Sequence, residues 1–237
     1  MNGTDMKNLA GKWALVTGSS RGIGRQIAVG LAKLSCNVIL HGRSVGNCAD
    51  TLALVKDHGV EAAVVSGNLA NPDDVISVID QTNAIAQIDI LYNNAGLQNE
   101  WKEVWDLNHG EWLEIFQVNL FSLVKLTQAF APQMKARSFG RIINLTSGIA
   151  DIPQMAPYSA AKAAVDKFTT DMAAELKGSN VLINTVDPGW LRTDLGGPEG
   201  DFDVETVVPG ALVPALLEDF GPQGTCFHAQ EFKYLSI

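Results

Sequence analysis

The chain has 237 residues, 46% of them hydrophobic and 22 of them glycine, which is enough for one large α/β domain and short for two. Its net charge of −9 argues against nucleic acid, whose phosphates demand a basic face, and against an anionic membrane surface. Three widely separated cysteines, Cys36, Cys48 and Cys226, form no CxxC pair, so neither a disulfide framework nor a zinc site is expected and a reducing cytoplasm fits.

In chain order, "MNGTDMKNLAGKW" (1–13) lacks the basic segment and apolar run of a signal peptide, and no apolar stretch reaches membrane-spanning length. "WALVTG" (13–18) reads as a strand, and "GIGRQIAVGLAKL" (22–34) as a helix with apolar residues at helical spacing. "NVILHG" (37–42) is a second strand, "VGNCADTLALVKDHG" (45–59) a helix, and "EAAVVSG" (61–67) a third strand. "NPDDVISVIDQTNAIAQ" (71–87) opens with an Asn cap, a Pro and two acids, all signals of a helix start. "IDILYNNAG" (88–96) gives a fourth strand, 110–137 a long helix, and "RIINLTS" (141–147) a fifth strand. The helix of "APYSAAKAAVDKFTTDMAAEL" (156–176) precedes a sixth strand, "VLINTVDPG" (181–189). The remainder reads as a mobile loop about 190–206, a short helix around 207–217 and a last strand near 225–227.

Strands apolar on both faces, each followed by a helix, imply a parallel sheet covered on both sides. The expected fold is therefore a doubly wound, Rossmann-type α/β sheet of about seven strands with ligands at the carboxyl ends of the strands. No linker, repeat or low-complexity tract interrupts it, so residues 1–237 are expected to form one dinucleotide-binding and catalytic domain.

Chemistry concentrates at a few places. "TGSSRGIG" (17–24) lies between the first strand and first helix, where glycines allow a tight turn and backbone N–H groups meet a pyrophosphate at the helix N-terminus. Its spacing is Gly18-x3-Gly22-x-Gly24, with Ser20, Arg21 and Ile23 between. After the second strand comes "HGRS", which lacks the acid that holds a ribose 2′-hydroxyl. Arg43 and Arg21 favour a 2′-phosphate instead, hence NADP, with Ser44 beside them. Tyr158 and Lys162 stand four apart on one helical face, where a cation favours the phenolate and lowers its pKa. Taken alone, that pair also fits a plain amphipathic helix. His41, His58, His109 and His228 have no metal-ligand spacing, so no metal is expected.

TGSSRGIG, NNAG (93–96), the serine ending IINLTS, YSAAK and DPGWLRT occur together in the order and approximate spacing of the short-chain dehydrogenase/reductase family, which this chain resembles over roughly residues 9–195. The resemblance implies the strand order 3-2-1-4-5-6-7 for the sheet. It also implies that Tyr158 is the catalytic acid or base, that Lys162 lowers its pKa and binds the nicotinamide ribose, and that Ser147 hydrogen-bonds the substrate carbonyl. It implies that Asn119 holds a water in a proton relay, although by itself this residue reads as a helix kink or a buried structural Asn. Asn94, Ala95 and Gly96 would shape the floor under the adenine ribose. Asn68 and Leu69 replace the Asp-Val of many relatives against adenine, the Asn still offering an acceptor oxygen. Pro188, Gly189, Leu191 and Thr193 would line the nicotinamide.

The implied activity is NADPH-dependent reduction of a ketone or aldehyde, of the carbonyl-reductase-like kind. A 3-oxoacyl-thioester reductase is the nearest rival, although it calls for basic residues to meet an acidic carrier. A non-catalytic NADP-binding regulator would be expected to lack Tyr158 or Lys162, and an elimination enzyme to carry arginine at 162. A small carbonyl or alcohol substrate is expected, with a homo-oligomer as partner state. The tail "GTCFHAQEFKYLSI" departs from the "VDGG"-like ending used in tetramers, so a dimer is favoured. The loop between Ser147 and Tyr158 is about two residues shorter than in common relatives. Trp101, Trp105, Trp190, Ile149 and Met155 point to apolar or aromatic carbonyls, or simply to packed lids.

Overall fold

The computed structural model describes residues 7–237. Seven strands form the expected parallel sheet: β1 (Trp13–Val16), β2 (Asn37–Gly42), β3 (Ala62–Ser66), β4 (Ile90–Asn93), β5 (Gly140–Leu145), β6 (Val181–Asp187) and, at the far edge, β9 (Cys226–His228). The order β3-β2-β1-β4-β5-β6-β9 is the expected one, the last strand being numbered ninth. Two short strands intervene in the chain, β7 (Leu191–Arg192) and β8 (Phe202–Asp203), which pair with each other in a separate ribbon.

Side-chain alternation along the strands builds two cores. Ala14, Val16, Val38, Leu40 and Ile143 pack against α1 (Gly22–Lys33), α2 (Ala49–Lys56) and the turn of 3-10 helix at Gly210–Leu216. Leu15, Ile39, Leu91 and Ile142 pack against α3 (Pro72–Ile85), α5 (Ser122–Ala136) and the end of α6 (Ala156–Glu175). A strand buried on both faces cannot alternate apolar with polar, which is why these segments read as near-continuous apolar runs.

Local signals are met where their chemistry is local. Asn71 caps α3 by accepting from the Asp73 N–H at 2.9 Å, with Pro72 in the first turn. The helix expected over 45–59 is shorter and begins as 3-10 helix at Val45–Cys48. The long helix expected over 110–137 is α4 (His109–Phe116) running into α5 through one wide π turn, Gln117–Phe121. The short helix around 207–217 is 3-10 helix at Val204–Val207 and Gly210–Leu216, with Pro209 and Pro214 removing the donors that α-helix needs. The segment read as a mobile loop carries the β7–β8 ribbon, fastened by Arg192 Nη2 to Asp203 at 2.6 Å. Among the described residues no helix is long and apolar enough to cross a membrane.

Candidate active site

The site lies at the carboxyl ends of the central strands, where the sheet order reverses between β1 and β4. Thr17 ties the two sides together. Its Oγ1 accepts from the Asn94 and Ala95 N–H groups at 3.0 Å each, while Asn94 Nδ2 donates to the Thr17 carbonyl at 2.8 Å. Close contact is obligatory here. A Cβ on Gly24 would lie 2.4 Å from the Gly18 carbonyl oxygen, and one on Gly18 would lie 2.9 Å from Ala95 Cα. Gly18 and Gly22 also have φ of +63° and +57°, the region glycine adopts without steric cost.

The N-terminus of α1 is open to an anion: Arg21 makes no side-chain cap and no acid occupies the first turn. With its free N–H groups and the helix dipole, this cradle fits the pyrophosphate of a dinucleotide. The two arginines have different surroundings. Arg21 Nε binds Asp194 at 2.7 Å, clasping the Gly-rich turn to the segment after β7. Arg43 is exposed after β2, and Ser44 beside it hydrogen-bonds Asn47. Asn68 starts a turn into α3, its Oδ1 accepting from the Ala70 N–H at 3.2 Å with one lone pair. Leu69 is buried and its carbonyl accepts from Gln117 Nε2. Among the residues expected at the nicotinamide, Leu191 is 2% exposed, the Pro188 carbonyl accepts from Gln230, and Thr193 Oγ1 accepts from the Gly196 N–H. Gly189 has φ +78° and donates its N–H to Asp187 Oδ1 at 3.0 Å.

His41 belongs to this site although its sequence position gives no sign of it. Its Nδ1 accepts from the Gly18 N–H at 3.2 Å and its Nε2–H donates to the Gly67 carbonyl at 3.1 Å. Its backbone N–H donates to Ser19 Oγ at 2.9 Å. One buried imidazole thus ties the Gly-rich turn and the loop after β3 to β2, and only the neutral ring can do so, since a charged ring has no acceptor for Gly18. Burial pushes its pKa down to about 4. Between pH 6.5 and about 4 the unfolded chain therefore binds a proton that the folded chain refuses, so stability falls as pH falls through that window. The expected slope is up to ~1.4 kcal/mol per pH unit. Urea titrations of the wild type and His41→Gln across the window check this: the variant should show the smaller pH slope, and equal slopes would refute the assignment.

Tyr158 and Lys162 share one face of α6. Tyr158 is nearly buried in a small apolar cluster with Ile115, Met155 and Ala161, against Leu97, Phe116 and Ile149. Burial raises its pKa, a hydrogen bond with Ser147 lowers it, and the charge of Asp187 raises it. Burial is the largest of these, and Lys162 is not among them. The Lys162 Nζ stands 5.7 Å from the Tyr158 ring centre and donates to the Leu145 carbonyl at 2.7 Å. Complete burial brings its own pKa down to about 8. Ser147 follows β5 by two residues, and its Oγ accepts from the Ile149 N–H at 3.3 Å.

Asn119 sits in the π turn, 1% exposed. Its Nδ2 donates to the Leu97 carbonyl at 2.7 Å and to the Ile115 carbonyl at 2.9 Å, and its Oδ1 accepts from the Leu97 N–H at 3.2 Å. The amide thus takes up a carbonyl left by the widened turn and pins the loop after NNAG. A Cβ on Gly96 would lie 3.2 Å from Asn119 Oδ1 and 3.8 Å from Lys162 Nζ, so the bare glycine is where these two side chains converge. Trp101, Trp105 and Trp190 are exposed, Trp190 Nε1 donating to the Gly196 carbonyl at 2.7 Å. Among the described residues no group of three or more His, Cys, Asp or Glu side chains is placed to hold a metal.

Comparison with known proteins gives the same picture. Residues 12–202 match the family model described as short chain dehydrogenase. A 3-oxoacyl-[acyl-carrier-protein] reductase of Synechocystis sp. is 37% identical over 194 residues, covering 80% of this chain and 78% of the relative. A gluconate 5-dehydrogenase of Gluconobacter oxydans is 33% identical over 201 residues, covering 82% and 77%. Among solved structures, a 3-oxoacyl (acyl-carrier-protein) reductase of Agrobacterium tumefaciens with NADP bound superposes with a TM-score of 0.85 at 31% identity, covering 93% of each chain.

Proposed function

The chain belongs to the short-chain dehydrogenase family, and from that premise we propose that it is an NADPH-dependent oxidoreductase reducing a ketone or aldehyde to the alcohol, reversibly. The observation that carries this reading is the convergence of Ser147, Tyr158, Lys162 and Asn119 beside a Gly-rich helix N-terminus open to a pyrophosphate. NADPH, when bound, supplies the hydride. Ser147 Oγ hydrogen-bonds the carbonyl oxygen and orients it, and Tyr158 Oη gives that oxygen its proton. Lys162, buried and held at the Leu145 carbonyl, binds the nicotinamide ribose and favours the phenolate that remains. Asn119 fixes the loop beside Gly96 and holds the water through which Lys162 is re-protonated. Ser20, Ile23 and the glycines of the loop hold the pyrophosphate, and Asn94, Ala95, Asn68 and Leu69 border the adenosine half.

The chain acts as one cofactor-binding and catalytic domain in the cytoplasm, using no metal held by its described residues, with 190–206 and its β7–β8 ribbon as the substrate-side edge. Leu113 and Phe121, exposed on the α4 and π-turn face, support a homodimer through that face. A 3-oxoacyl-thioester reductase is the second reading, favoured by the Synechocystis relative. Against it, neither Lys102 nor Arg192, the cations of the loops after β4 and β6, is free for an acidic carrier.

The test is oxidation of NADPH with a panel of ketones, aldehydes, diketones and quinones, with NADH in parallel. Turnover with NADPH is the expected result, and tight cofactor binding with no carbonyl reduced would favour the non-catalytic regulator. Arg43→Asp should weaken NADPH binding about tenfold or more while changing NADH binding little, a loss of one charge-assisted contact to the 2′-phosphate. Equal losses for the two cofactors would remove that contact from the account.

A further inference from the structure

A carboxylate stands inside this site that the catalytic chemistry does not use. Asp187 ends β6, and its side chain is 17% exposed. One oxygen, Oδ1, holds the Gly189 N–H at 3.0 Å and so fixes the turn that follows. The other, Oδ2, points back across the sheet to the segment that carries Ser147: a Cβ built on Gly148 would lie 2.9 Å from it. Its charge also acts on Tyr158, helping to keep the phenol protonated. The outer neighbour of Oδ2 is His228 Nδ1 of β9 at 3.5 Å, and Cys226 of the same strand feels the charge of Asp187 as well.

We propose that Asp187 is a specificity-determining residue, which steers the site to neutral or cationic carbonyl compounds and turns carboxylates away. This rests on the reductase reading and adds a substrate class to it. An anionic group within a few ångströms of a part-buried carboxylate is opposed by a field that water screens poorly. Apart from His228 on its outer side, 3.5 Å away, the surrounding loops offer little to offset it. The segment 147–157 contains no Lys or Arg and adds Asp151. In 97–108 the one cation is Lys102, bound to Glu111 at 2.7 Å and Glu100 at 3.3 Å. In 188–203 the one cation is Arg192, bound to Asp203 Oδ1 through Nε at 2.9 Å and Nη2 at 2.6 Å and to the Gly200 carbonyl at 2.6 Å. The Lys162 ammonium is committed to the Leu145 carbonyl. A substrate carboxylate would therefore meet one acid at the turn, acids around the rim, and cations already matched.

Asp187→Asn removes the charge and keeps an oxygen for the Gly189 N–H, so the turn is preserved. The measurement is calorimetric binding, at one pH, of three phenyl ketones of similar size to protein saturated with 1,4,5,6-tetrahydro-NADP: benzoylformate, which is anionic, benzoylformamide, which is neutral, and the ammonium form of the α-amine PhCOCH2NH2, which is cationic. The tetrahydro ring is uncharged and has no hydride to give, so binding is read without turnover, and failure of the reductase reading appears separately as absent NADPH oxidation. Wild type should bind the amide and the amine about tenfold or more tightly than benzoylformate, and Asp187→Asn should bring benzoylformate within about twofold of the amide. His228→Gln, which leaves the charge in place, should preserve the wild-type preference. Equal weakening of all three ligands in Asp187→Asn would make the residue a mere prop for the turn and overturn the proposal. An unchanged preference, or no binding of any of the three, overturns it too.

Discussion

Replacing Tyr158 by phenylalanine is expected to lower kcat/KM for carbonyl reduction by about 10²–10⁴-fold while leaving the fold and the NADPH affinity within a few-fold of wild type. The expectation comes from what the substitution removes. Only the hydroxyl goes; the ring stays in its cluster with Ile115, Met155 and Ala161, so packing is nearly unchanged. What disappears is the phenolic proton donor hydrogen-bonded with Ser147. Stopped-flow or steady-state rates with the best ketone of the panel, alongside cofactor binding by fluorescence, give the comparison. A variant retaining a tenth or more of wild-type kcat/KM would mean that the proton comes from elsewhere and that the Ser147–Tyr158–Lys162 assignment is wrong.

The second large effect concerns stability. Arg141 opens β5 with its side chain fully buried, which is rare for a guanidinium and tolerable only because its donors are used. Nε and Nη2 donate to the Leu217 carbonyl at 3.2 and 2.8 Å, and Nη1 to the Gly140 and Asn180 carbonyls at 2.9 and 3.2 Å. Nη2 also meets Asp219 Oδ1 at 3.3 Å, and the guanidinium carbon lies 4.6 Å from the centre of the Phe139 ring. Arg141→Met roughly keeps the volume and removes every donor, leaving the buried Leu217 carbonyl without this partner at ~1–3 kcal/mol, while the Asn180 carbonyl keeps the Gly140 N–H. With the lost contact to Phe139, a total loss of ~2–4 kcal/mol is expected, or roughly 10 °C in Tm for a chain of this size. Asp219→Asn should cost under ~1 kcal/mol, because Asp219 is 42% exposed and water can replace it. Urea unfolding midpoints at constant m separate the two. Comparable small losses for both variants would show that water reaches those carbonyls and that Arg141 is an ordinary surface ion pair.

His41, Arg141 and Asp187 have something in common: each is a polar group whose role depends on residues distant in the chain. His41 meets Gly18 and Gly67, Arg141 meets Leu217, and Asp187 meets Gly148 and His228. A histidine before a glycine, an arginine opening a strand and an aspartate before a proline look alike in any soluble sequence. Their environments are set by which strand ends the sheet order brings side by side.

Other features were legible because their causes are local. Apolar runs buried on both faces, alternating with helical patterns, announced a covered parallel sheet, and the family resemblance of the motifs added the strand order that the structure shows. Asn71-Pro72-Asp73-Asp74 announced a helix start because capping involves only neighbours. The glycines of 18–24 were readable because positive φ and the absence of a Cβ are properties of the residue itself. Tyr158 and Lys162 were readable as a pair because helical spacing alone puts them on one face. The direction of the Tyr158 pKa shift was not readable. It depends on how much water the cluster around Ile115 and Met155 excludes and on the distance to Lys162, both of which are properties of packing. Arg21 was equally opaque: its sequence position suits a 2′-phosphate, and only the folded chain brings Asp194 to within 2.7 Å of it. Asn119 combined both cases, for a buried asparagine in mid-helix was visible from the pattern, whereas the widened turn that its amide satisfies was not. By itself the sequence determined the covered parallel sheet, the Gly-rich turn and the shared helical face of Tyr158 and Lys162, since periodicity and steric permission act over a few residues. The partners of its buried charges and the energies of its protons were decided only in the tertiary structure, because those depend on distance through space and on the exclusion of water.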